Sequence, residues 1–98
     1  MENKVIYVDI DGTICSQTKS DYKNAKPNKA NIRKINKLFE KNTIIYWTAR
    51  GGASGIDWTE LTEKQLKEWG CAYDALIMND KPSYDLLICD KTLRIEEL

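Results

Sequence analysis

Four short apolar runs punctuate an otherwise polar chain: Val5–Val8, Thr43–Trp47, Ala75–Met78 and Leu86–Cys89. They are rich in β-branched, aromatic and aliphatic residues and bounded by polar positions, which predicts buried strands. A different period separates the first two. From Asn28 to Lys41, Ile32, Ile35, Leu38 and Phe39 recur at helical spacing with lysines on the other side, and Pro27 stands just ahead, where a helix start tolerates proline. A second helical stretch carries Leu66 and Trp69 inward and is closed by Gly70 as a left-handed cap. Thr62-Glu63-Lys64-Gln65 has capping-box spacing, so Thr62 is read as its start. Residues 10–27, with Gly12 and Pro27, read as a long loop with room for a small hairpin. Gly51, Gly52, Ala53, Ser54 and Gly55 read as a flexible loop, and Asn79-Asp80-Lys81-Pro82-Ser83 as a turn.

The resulting order is strand, helix, strand, helix, strand, strand. Apolar strands alternating with helices predict an α/β fold, a three-layer, Rossmann-like domain around a mainly parallel sheet. Right-handed crossovers bring the carboxyl ends of parallel strands to one edge, where open α/β sheets hold ligands. That edge would receive Asp9, Thr48 and Asp90.

Composition narrows the chemistry. The 98 residues are read as a single domain, 1–98, with no repeats or low-complexity tracts. Lys+Arg and Asp+Glu both number 15, and the zero formal charge argues against nucleic acid or an anionic membrane as main partner. No apolar run is long enough to span a bilayer, and no signal-peptide core follows Met1. Cys15, Cys71 and Cys89 are odd in number and far apart, so a disulfide framework or zinc site is not expected, and a cytoplasmic location is. With His 0, a Ser-His-Asp triad, a His-bound zinc and an imidazole proton shuttle are all excluded.

The remaining chemistry gathers at Asp9-Ile10-Asp11-Gly12-Thr13. Two carboxylates two residues apart in a tight turn repel each other unless a cation offsets them, and Mg²⁺, held by carboxylates and waters, is the natural one. Asp9 is then placed to attack phosphorus, and Asp11 to protonate the leaving oxygen and later activate water. Gly12 lets the chain turn sharply and aim backbone N–H groups at a phosphate. The bland alternative is a pair of aspartates capping a turn. An EF-hand loop is excluded because its twelfth position, counted from Asp9, is Ser20 rather than Glu. Thr48 offers a hydroxyl at a strand end, Lys81 a charge before the fourth strand, and Asp90 a metal-ligating carboxylate at that strand's end. Each alone is an ordinary structural residue, whereas their order along the chain is not.

The set Asp9-x-Asp11-Gly12-Thr13, Thr48 in Trp47-Thr48-Ala49-Arg50, Lys81 before Pro82, and Asp90 before Lys91 resembles the haloacid dehalogenase superfamily of aspartate-nucleophile phosphatases. Within it, the stretches TARGG-x-S-G-I-D-W, Q-L-K-x-W-G and KPS-x-D-L-x-I-x-D-K resemble a group of capsular polysaccharide biosynthesis phosphatases. The resemblance implies a Mg²⁺-dependent phosphomonoesterase acting on a small phosphorylated metabolite, with a sugar phosphate of surface-polysaccharide assembly foremost. Asp9 would be nucleophile and Asp11 general acid/base. Thr48 and Lys81, with Gly12 and Ala49 beside them, would bind phosphate. Asp9, Asp11 (through its carbonyl) and Asp90 would bind metal. The fourth motif is commonly a pair of acids in such relatives, and here its first member is Cys89. Asp85 is a second metal candidate. A nucleotidase or nucleic-acid end phosphatase, or a catalytically weak binding module of the same fold, stand as alternatives.

Two more residues invite a substrate role. Arg50 is close enough to Thr48 to grip a phosphate or sugar acid, or else to pair with a carboxylate such as Asp57. Trp58 suits stacking on a sugar face, or core packing. Tyr22 and the lysines at 19, 23 and 26 would wall the entrance. About 18 residues separate Asp9 from the first helix and about 10 follow Thr48 before the second, too few for an inserted cap domain. An open cleft is expected, with substrate choice left to these loops or to a neighbouring subunit of a homo-oligomer.

Overall fold

A computed structural model describes residues 3–16, 21–50 and 55–78, and the backbone of 86–88. Its elements are β1 (Val5–Asp9), a 3-10 turn (Tyr22–Asn24), α1 (Lys29–Phe39), β2 (Thr43–Thr48), α2 (Thr59–Glu68), β3 (Ala75–Met78) and β4 (Leu86–Ile88). The four strands form one sheet in the order β3-β2-β1-β4, and every pairing is parallel. This is a small α/β domain. All four expected strands and both helices are present, with ends shifted by a residue or two except at the start of α2.

The strands bury one face deeply. Ile6 and Val8 of β1 stand in register with Ile44 and Tyr46 of β2, and all four are fully buried. Ile32 and Ile35 of α1 and Leu66 of α2 join this same cluster, as do Ile10, Ile14 and Cys15 from the loop after β1. Both helices therefore cover one face of the sheet. The order explains it: β1 to β2 to β3 steps twice in one direction, and two right-handed crossovers in one direction put their helices on one side. Asn36 of α1 ties the end of α2 down, donating from Nδ2 to the Gly70 carbonyl at 2.9 Å and accepting from the Ala72 N–H at 2.8 Å. The described residues thus fill two of the three expected layers. The opposite positions, Tyr7, Ile45 and Trp47, are half-buried. Trp47, in a strand whose apolar run predicts burial, lies on this second face and is only half-buried by the described residues.

The helix ends follow local chemistry. Asn28 caps α1 through a side-chain oxygen that accepts from the Asn31 N–H at 3.1 Å. Past α2, Gly70 takes φ +75°. Its N–H reaches the Lys67 carbonyl at 3.2 Å and the Cys71 N–H reaches that of Leu66 at 3.0 Å, a Schellman closure. The start of α2 differs from expectation. The helix begins at Thr59, and Asp57 Oδ1 accepts from the Thr59 N–H at 2.9 Å. Those hydrogen bonds from Thr59 hold the exposed Asp57 carboxyl below its ordinary pKa. Thr62 and Gln65 are consequently one turn inside the helix and buried, not its cap.

Candidate functional site

Asp9 is the last residue of β1 and stands in register with Trp47 of β2, so Thr48 projects one position further along the same sheet edge. The first two expected phosphate-site residues are thereby brought to adjacent strand ends by parallel pairing alone. Beyond Asp9 the chain folds back on itself. The Thr13 and Ile14 N–H groups both donate to the Ile10 carbonyl at 3.1 Å, and Gly12 adopts φ +86°. That left-handed conformation is the reason for glycine here. The Gly12 N–H donates to the Cys15 carbonyl at 3.0 Å, so it is spent inside the loop rather than aimed outward as expected. Thr13 is buried, and its hydroxyl has no hydrogen-bond partner among the described residues.

Asp11 is gripped by Arg50. The guanidinium donates from Nε to Asp11 Oδ2 at 2.9 Å and from Nη2 to Oδ1 at 2.8 Å, a bidentate ion pair. The Arg50 side chain is fully buried and that of Asp11 is 17% exposed. The remaining donors are also engaged: Nη1 with Thr62 Oγ1 at 3.2 Å and Gln65 Oε1 at 2.6 Å, and Nη2 with Cys15 Sγ at 4.0 Å. Every one of the five N–H groups of a guanidinium thus meets an acceptor. The Tyr22 ring lies 4.7 Å from the guanidinium carbon, a cation–π contact, and its carbonyl accepts from Gln65 Nε2 at 2.6 Å.

This arrangement bears on several expectations. Arg50 pairs with a carboxylate, that of Asp11 rather than Asp57, and its guanidinium is buried in the pair. Thr48 is buried, its hydroxyl facing Asp11 Oδ2 at 3.4 Å and accepting from the Arg50 N–H at 3.2 Å. Trp58 is half-buried and meets Tyr22 edge-on at 5.1 Å between ring centroids, which braces the turn over Arg50. Tyr22 is half-buried against Arg50 and Trp58, while Lys23 and Lys26 are exposed. Ala49 is exposed directly after β2. Lys81, Asp85, Cys89, Asp90, Lys19 and residues 51–54 lie outside the described residues.

Three contributors escaped sequence reasoning as site residues: Thr62, Gln65 and Cys15. The first two share one helix face by their i, i+3 spacing, a pattern that serves a capping box equally well. Cys15 Sγ lies 3.5 Å from Asp11 Oδ1, and burial, then the Asp11 charge, pushes its thiol up to about 12 against the opposing pull of Arg50. Cys15 and Cys71 are free thiols.

A metal at this edge would fall to the two aspartates, whose oxygens suit a hard cation such as Mg²⁺. The Asp11 carboxylate is engaged by Arg50, which would leave the Asp11 carbonyl as its donor. Among the described residues no three acidic, thiol or imidazole groups cluster, and the third expected donor, Asp90, lies beyond them. No helix among the described residues is long and apolar enough to cross a membrane.

No family model and no curated protein sequence matches the chain. Solved structures do. A crystal structure of a target protein from Vibrio cholerae superimposes with a TM-score of 0.74 at 25% identity, covering 96% of this chain and 85% of that one. The structure of a Pnkp1/Rnl/Hen1 complex gives a TM-score of 0.61 at 23% identity, covering 85% of this chain but 30% of its counterpart. Both are compatible with a haloacid dehalogenase-like fold.

Proposed function

We propose that the chain is a Mg²⁺-dependent phosphomonoesterase of the haloacid dehalogenase type, acting on a small phosphorylated metabolite. The observation that carries this reading is the juxtaposition of Asp9, Asp11 and Thr48 at the carboxyl edge of a parallel sheet. A sugar phosphate of surface-polysaccharide assembly is the foremost substrate, on the strength of the motif wording alone.

In this reading a carboxylate oxygen of Asp9 attacks phosphorus and the P–O bond to the leaving group breaks. The departing oxygen takes a proton from Asp11. Asp11, now a carboxylate, accepts a proton from water, which attacks the aspartyl-phosphate and frees phosphate and Asp9. Thr48 and Lys81 would hold phosphate oxygens, the hydroxyl of Thr48 exchanging its long contact with Asp11 for the ligand. Asp9, the Asp11 carbonyl and Asp90 would hold Mg²⁺, which when bound offsets the negative charge of nucleophile and phosphate.

Asp9→Asn removes the nucleophile with little change in shape. Mg²⁺-dependent phosphate release, screened over sugar phosphates and nucleotides, is expected to be lost. Release that survives the substitution would falsify the aspartyl-phosphate route, and preference for nucleotides would redirect the substrate to a nucleotidase. The ion pair on Asp11 favours one alternative, a phosphometabolite-binding module without turnover. Ligand binding with no phosphate release at saturating Mg²⁺ would select it.

A further inference from the structure

We propose that Arg50 is a positioning residue for Asp11, held in place by Thr62 and Gln65 of α2, and that it does not contact substrate; this rests on the phosphatase reading above. The saturation of the guanidinium is the central observation. Its side chain has no exposed surface, and its donors are shared among Asp11, Thr62, Gln65 and Cys15. A phosphate or sugar acid could reach Arg50 only by displacing Asp11 or opening the contact between α2 and the Tyr22 turn.

The Asp11 end has the complementary geometry. A carboxylate has about four acceptor directions. Two are taken by short bonds from Arg50, which fix the plane of the group. The other contacts are long, Thr48 Oγ1 at 3.4 Å and Cys15 Sγ at 3.5 Å, and these are the ones a reacting oxygen can replace. Arg50 therefore sets the direction in which Asp11 presents a lone pair or a proton. Thr62 and Gln65 anchor Arg50 from the far side, and Gln65 is itself pinned by the Tyr22 carbonyl at 2.6 Å. The acid/base group on the β1 loop is thus aligned by a helix that begins 48 residues further along the chain (Asp11 to Thr59).

Positioning has a kinetic signature that packing lacks. A general acid matters more for a leaving alkoxide, which needs a proton, than for nitrophenolate, which departs without one. The test compares Thr62→Val, Gln65→Met and Arg50→Lys with the wild type on p-nitrophenyl phosphate and on a sugar phosphate with an alkoxide leaving group. Thr62→Val and Gln65→Met keep their volume and the buried charge, so they supply the answer if Arg50→Lys does not fold; thermal unfolding confirms the fold of each. The expected result is a fall in kcat/KM, which reports only the steps up to departure of the leaving group, of about 10-fold or more on the sugar phosphate and a smaller fall on the aryl ester, with KM within about 2-fold of wild type. A raised KM at unchanged kcat would make Arg50 a substrate ligand and overturn the proposal. So would equal losses of kcat/KM on both esters. Wild type without Asp9-dependent turnover removes the phosphatase reading and the proposal with it, whereas an active wild type with either overturning result removes the proposal alone.

Discussion

The two ends of the sheet both bury polar side chains, and they use them in opposite ways. At the amino end, Asn42 accepts from the Lys4 N–H at 3.0 Å and donates to the Leu38 carbonyl at 2.9 Å. Asp74, itself exposed, accepts through Oδ2 from the Ile44 N–H at 2.8 Å. These side chains answer backbone groups that strand and helix ends leave open, which is a structural service. At the carboxyl end, Asp11, Arg50, Thr62 and Gln65 answer mainly one another. Charges withdrawn from water cost several kcal/mol each, and their mutual attraction often does no more than offset that. A buried ion pair is thus weak evidence of stabilisation. Its presence at the strand-end edge that holds Asp9 and Thr48 is what the proposed positioning role for Arg50 would account for.

The largest test of that contrast is Arg50→Met. It strands the Asp11 carboxylate against apolar surroundings and is expected to lower stability by about 3–5 kcal/mol, read as a shift of the denaturation midpoint. Adding Asp11→Leu should recover part of that loss while leaving the protein inactive, because an apolar pair needs no solvation. A single substitution costing under about 1 kcal/mol would show that the pair is open to water and would erase the contrast.

Asn42→Ala comes next. It leaves the Lys4 N–H and Leu38 carbonyl without their side-chain partner and should cost about 1–2 kcal/mol. Phosphate release should be unchanged when assayed well below the new melting temperature. Lost activity in a folded Asn42→Ala protein would mean that the two ends are coupled.

The smallest effect is a slope with pH. Burial pushes the Cys71 thiol from 9.0 up to about 11, against the opposing pull of the Tyr46 hydroxyl and the Lys29 ammonium. The folded state therefore keeps the thiol proton where the unfolded chain sheds it. The stability this represents is intact below pH 9 and is lost as pH rises towards 11. Between pH 9 and 10, Cys71→Ala should flatten the decline by roughly a few tenths of a kcal/mol, because the site is half-exposed and solvent screens it. Tyr46 is shifted upward too, by burial first, but from an ordinary value of 10.0, so its share enters at higher pH. Identical slopes for the two proteins in that window would assign the alkaline loss to other groups.

Much of the fold was legible from periodicity. Strands such as Val5–Asp9 and Thr43–Thr48 announce themselves because burial demands apolar residues wherever a parallel strand runs. The Asn28 cap and the Gly70 stop are local, since neighbouring residues suffice to make them. Thr62-x-x-Gln65 misled for a physical reason. Residues three apart share a helix face whether they close its first turn or line its interior, and only the Asp57–Thr59 contact determines where the turns begin. Trp47 misled similarly: alternation tells that a residue faces one side of a sheet, but not which side the helices cover.

The sequence by itself therefore determined the strand and helix order, the parallel sheet and the arrival of Asp9 and Thr48 at one edge. Each of those depends on spacing along the chain and on the single hand of its crossovers. Tertiary structure alone decided the partner of Arg50. Its candidates, Asp57 seven residues away and Asp11 thirty-nine residues away, carry the same charge, and only the packing of α2 and the Tyr22 turn against the first loop excludes water from one of them.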